Sequence, residues 1–133
     1  MTSDLLSAEA TSRVVETCRE LTGERLRSVT YFTERDYGQL YLRDDLERDA
    51  DLESFTSVEW HESAIIDEAY RTSELGGHNY TIRVFENGYL LRVSDTDQGL
   101  FVTTDDLPMS TFEELGRSLD AIVSELPAPT HAE

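Results

Sequence analysis

The chain has 133 residues, 28 Asp and Glu against 11 basic residues, and a formal net charge of -17. Such a length suits one domain that buries a core without disulfides or metals, and the lone cysteine, Cys18, excludes an internal disulfide. The charge balance speaks against direct nucleic-acid binding, which needs a clustered basic footprint, and no apolar run approaches the ~18 residues of a membrane span.

Residues 4–22 carry Leu5, Leu6, Val14, Val15, Cys18 and Leu21 among Glu and Arg. The 14, 15, 18, 21 spacing predicts one helical face, with Gly23 placed to end the helix. Cys18 falls on that stripe and reads as a small core residue, since no histidine lies near it in sequence to stabilise a thiolate. The segment lacks the continuous apolar core of a signal peptide, which with the single thiol implies a cytoplasmic location.

"RLRSVTYFTE" (25–34) and "GQLYLRDD" (38–45) are rich in β-branched and aromatic residues, and "RDYG" supplies a turn between them. They predict a β-hairpin. Simple alternation puts Leu26, Ser28, Thr30 and Phe32 on one face and Arg27, Val29, Tyr31 and Thr33 on the other. Carboxylates gather at the ends: Glu34 and Asp36 at the turn, Asp44, Asp45 and Glu47 beyond the second strand. The aromatics serve either as cross-strand scaffold or, through Tyr31, Arg35, Tyr37, Tyr41 and Arg43, as a recognition face of the Tyr/Arg type favoured at protein–protein contacts.

Residues 49–74 switch to helical spacing, with Leu52, Phe55, Val58, Ile65, Ile66, Ala69 and Tyr70 as the expected apolar stripe and a break expected near Thr56–Ser57. Ser57 can cap a helix starting there. "HESAIIDE" starts like a zinc motif, but Ile65 stands where the second histidine is needed. "ELGGH" (74–78) ends the segment.

Three strands follow over 79–87, 88–95 and 99–106, joined by an Asn87-Gly88 hairpin signal and by "DTDQG". Asp95 and Asp97 have the spacing of a calcium loop, which then fails with Gly99 at the fifth position and no Glu at the twelfth. A last helix over 111–126 is expected to start at Ser110, with Glu113 completing a capping box and Phe112, Leu115, Leu119, Ile122, Val123 and Leu126 buried. Residues 127–133 read as a flexible tail on a single domain spanning 1–126.

The predicted fold class is α+β: a single five-stranded antiparallel sheet flanked by three helices, in the order α-β-β-α-β-β-β-α. That order resembles the Roadblock-type dynein light chain fold, a relative of profilin-like and longin domains, over about residues 4–126. The stretches "YFTERDYGQLYLRDDLE", "YTIRVFENGYLLRV" and "LFVTTDD" also look like a family of small, uncharacterised haloarchaeal proteins. The resemblance implies architecture and no catalytic or binding residue.

All eleven basic residues are Arg, and carboxylates are spread over every segment. This points to a salt-adapted surface: in molar salt the screening length falls to about 3 Å, so dispersed carboxylates keep the chain hydrated with little mutual repulsion. No phosphate cradle or nucleophile–histidine arrangement is recognisable, and no cofactor or metal is implied.

The expected function is therefore that of a non-enzymatic interaction module. It would form a homodimer through the third strand, with Tyr80, Ile82 and Val84, and the second helix, with Trp60. The alternative is a small-molecule sensor with an apolar pocket ringed by Arg83, Arg92 or Tyr89. A hydrolase or metal enzyme would require His61 or His78 to converge with carboxylates; His131 lies in the tail.

Overall fold

The computed structural model describes residues 5–46 and 52–129. Helix α1 (Ala8–Thr22) begins where the Ser7 hydroxyl accepts a hydrogen bond from the Ala10 amide at 3.0 Å, and ends where Gly23 adopts φ 61°. Its Val14 and Cys18 are fully buried, and burial pushes the Cys18 thiol up to about 12.

A single 3-10 turn leads into β1 (Leu26–Thr33), which forms the expected hairpin with β2 (Tyr37–Leu42). Simple alternation fails at the start of β1. The register against β5 (Gln98–Thr104) slips between Leu26 and Ser28, so Leu26 joins Val29 and Tyr31 in the same core layer. A second irregularity leaves Leu40 of β2 without a cross-strand partner, and Leu40 and Tyr41 both pack on that layer.

Helix α2 (Leu52–Tyr70) is continuous, with no break at Thr56–Ser57; the expected onset at 49–51, like Glu47 and His131, lies outside the described residues. The expected stripe needs correction. Leu52, Thr56, Glu59 and Ser63 are buried, while Val58, Ile65 and Tyr70 face outward.

β3 (Tyr80–Phe85) and β4 (Gly88–Ser94) pair without interruption, and Phe85 stands opposite Gly88. The turn is thus Glu86-Asn87, and Gly88 opens β4. A Cβ at Gly88 would come within 2.5 Å of the Thr104 carbonyl oxygen, so close approach of β5 is what requires glycine there. Helix α3 (Met109–Glu125) starts two residues ahead of the expected position, with Pro108 at its N-cap and no side-chain capping bond. Ser110 sits inside the first turn because the fixed φ of Pro108 already sets the chain's entry.

The strand order is β2-β1-β5-β4-β3, antiparallel throughout. On one face α1 and α3 pack Val14, Cys18, Leu115 and Leu119 against Val29, Leu91, Leu100 and Val102. On the other, Leu52, Phe55 and Trp60 of α2 meet Phe32, Leu90 and Phe101. No described helix is long and apolar enough to cross a membrane.

Candidate interaction face

Between α2 and the β3–β4 hairpin lies a buried ionic network. Arg92 of β4 is 0% exposed and Glu59 of α2 only 3%. Arg92 Nη1 donates to Glu59 Oε1 at 2.8 Å and to Glu62 Oε1 at 2.9 Å, while Arg83 Nε donates to Glu59 Oε2 at 2.8 Å. Arg83 Nη2 also donates to Glu62. Two guanidiniums therefore balance two carboxylates, which is the condition for tolerating charge at such depth.

Arg92 Nη2 further donates to Thr81 Oγ1 at 3.0 Å, and Thr81 Oγ1 lies 2.8 Å from His78 Nε2. The Thr81 hydroxyl thus bridges Arg92 and His78. Burial and the Arg92 charge together hold His78 below the ordinary imidazole range, which favours its neutral form. Burial pulls the Glu62 carboxyl upward, but hydrogen bonds from Arg92 and Arg83 outweigh it, and the group sits below its usual range.

The network fixes how α2 lies over the sheet. Trp60 meets Phe32 of β1 edge to face, with ring centroids 6.3 Å apart, while Glu62 reaches Arg83 on β3. The side of α2 carrying Glu62 therefore overhangs the β3 edge. Val58 and Ile65, four residues before and three after Glu62, adjoin it on the helix surface and face outward, 56% and 66% exposed. On β3, Val84 and Phe85 are exposed at 69% and 51%, Phe85 on the Arg83 face toward α2 and Val84 on the opposite face with Tyr80 and Ile82.

The two edges of the sheet differ. β2 is interrupted at Leu40, and bulges and charges are devices that discourage edge pairing. β3 keeps an unbroken register over all six residues and exposes its outer hydrogen-bonding row.

The other expected surface residues disperse. Tyr31 is a correction: it is buried at 1% exposure, with its hydroxyl donating to Gln98 Oε1 at 2.7 Å. Tyr41 takes the Arg19 guanidinium over its ring at 5.3 Å. Arg43 clamps Asp45 and Asp105, each at 2.6 Å, at the far end of the hairpin. Arg35 and Tyr37 remain exposed near the turn. On β3, Tyr80 packs its ring against Gly116 of α3 and Ile82 packs on the core, leaving Val84 outermost.

Of the residues expected to ring a pocket, Arg83 and Arg92 are spent in the network, whereas Tyr89 lines a groove at the other end of α2. His61 is exposed, its Nδ1 2.8 Å from the Ser57 carbonyl oxygen, and the described residues hold no group of three metal-ligating side chains.

A family model for a domain of unknown function, DUF7522, matches residues 12–124. The chain belongs to the DUF7522 family. No curated protein matches it. Among solved structures it is similar to MglB with a tetrameric arrangement, at 13% identity and TM-score 0.62, covering 94% of this chain and 98% of that one. The gliding protein MglB from Thermus thermophilus gives 13% identity and TM-score 0.63, over 95% and 99% of the two chains. Myxococcus xanthus MglB gives 10% and 0.63, over 90% and 91%. At such identities the likeness concerns the fold, and this DUF7522 member has the Roadblock-like fold that its element order suggests.

Proposed function

We propose that this DUF7522 chain is a salt-adapted, cytoplasmic, non-enzymatic interaction module that pairs with a second copy of itself through β3 and the overhanging side of α2. One observation carries the reading: an unbulged edge strand with exposed Val84 and Phe85 borders α2, on which Val58 and Ile65 are exposed as well. Pairing two β3 edges satisfies backbone groups that otherwise face water and brings exposed apolar side chains beside the seam under cover. One of the similar MglB structures has a tetrameric arrangement, which agrees with a fold able to self-associate. Neither nucleic acid nor membrane forms part of the reading, since the net charge of -17 opposes both.

The test is solution mass by light scattering in roughly 2–3 M KCl, where repulsion between acidic surfaces is screened. Wild-type protein is expected at twice the 15.1 kDa chain mass. The double substitution Ile65→Asp with Val84→Asp, both at exposed positions, is expected to leave a folded monomer. A wild-type monomer under these conditions overturns the homodimer.

A further inference from the structure

At the end of α2 remote from the network, a cavity of about 480 Å3 opens between the first turn of the helix and the sheet. Its volume lies in the range that holds small molecules. Leu42 and Leu46 from the first hairpin, Leu52 and Phe55 from α2, and Phe85 from β3 make its apolar walls. The floor holds the hydroxyls of Ser28 and Thr103, which lie 2.6 Å apart and satisfy each other. Those two hydroxyls are thus satisfied without a ligand, while Gln39 and Asn87 add polar side chains to the lining.

One basic side chain enters the described lining of the cavity. Arg27 lines it, partly buried, and Glu86 on the β3–β4 turn is the one carboxylate among its described lining residues. Arg27 makes a single side-chain hydrogen bond among the described residues, from Nη1 to Asp105 Oδ1 at 3.2 Å. Asp105 is held more closely by Arg43, at 2.6 Å, so its charge is shared between two guanidiniums. Among the described residues Arg27 is left with the weaker share, and its Nε and Nη2 donors have no acceptor there. A planar guanidinium with spare parallel donors, beside a largely apolar groove, suits a carboxylate.

We infer that this cavity binds a small apolar carboxylate, its hydrocarbon or aryl body between Phe55 and Phe85 and its carboxylate on Arg27. Phe85 also belongs to the proposed β3 pairing face, whereas Arg27, Phe55 and Thr103 do not, so shifts at those three report the cavity itself.

The probe is 3-phenylpropionate, titrated into the full chain and followed by NMR, with 3-phenylpropanol as the uncharged counterpart of the same shape. Saturable shifts are expected at Arg27, Phe85, Thr103 and Phe55. The alcohol, and Arg27→Gln with the acid, are each expected to bind about tenfold more weakly, the effect of losing one charge-assisted pair. Absence of saturable shifts, or shifts scattered over the acidic exterior, overturns the site. Equal binding of acid and alcohol overturns the carboxylate, and this comparison decides by itself should Arg27→Gln fail to fold.

Discussion

Arg92 occupies the centre of the α2 side of β4 with no solvent contact, and two of its three nitrogens find partners within the network. Its Nε has none among the described residues. A buried ion pair adds little net stability when intact, because desolvation offsets much of the attraction, but removing one partner leaves the other charge stranded. Glu59→Ala is therefore expected to destabilise the fold by about 3–5 kcal/mol in urea unfolding. Glu62→Ala, at a carboxylate that keeps solvent contact, is expected to cost on the order of 1 kcal/mol. Equal losses for the two would show that Glu59 does not anchor the network. In sequence, Arg83 and Arg92 look like the wet positions of two alternating strands, and in so acidic a chain Glu59 and Glu62 look like helix exterior. The signal that could have found them is the helical period drawn from Leu52, which runs through Phe55, Glu59 and Glu62.

At the scale of elements, periodicity served α1 and α3 well because each packs one apolar stripe on a single sheet face. It misplaced α2, whose sheet-facing side mixes Phe55 and Trp60 with two carboxylates while Val58 and Ile65 point away. Strand boundaries were legible, but the slips at Leu26/Ser28 and Val29/Thr30 were not, since a bulge answers to the neighbouring strand. The tight fit of β5 is set by Gly99, where a Cβ would stand 2.7 Å from the Phe32 ring and 2.8 Å from the Val93 carbonyl oxygen. Phe32 is buried and the Val93 carbonyl belongs to the sheet, so neither can yield cheaply. Gly99→Ala is expected to lower stability by about 1–3 kcal/mol, the cost of overpacking. An unchanged thermal midpoint would show that β1 and β5 have slack.

For the whole molecule, the charge of -17 decides the conditions under which the fold is comfortable. Its exposed ion pairs, such as Arg13–Glu125 and Asp67–Arg71, offset little of that repulsion. Raising salt from about 0.1 to 1 M shortens the screening length from ~10 to ~3 Å and removes most of it. The thermal midpoint is accordingly expected to climb as KCl rises from about 0.1 to 2 M. A flat or falling profile would refute salt adaptation of the acidic surface.

Local chemistry alone determined the number and order of the elements, the burial of Cys18, the end of α1 at Gly23 and the acidic, lysine-free exterior. These follow from hydrophobic period, turn residues and composition, all of which act over a few neighbours in the chain. Only the tertiary structure decided that Tyr31 is core, that two arginines and two glutamates meet beneath α2, that β3 is unbulged where β2 is interrupted and that a cavity opens beside Arg27. Each of those depends on which strand lies beside which and on how a helix is rotated over a sheet. Such relations join residues tens of positions apart, and no local pattern records them.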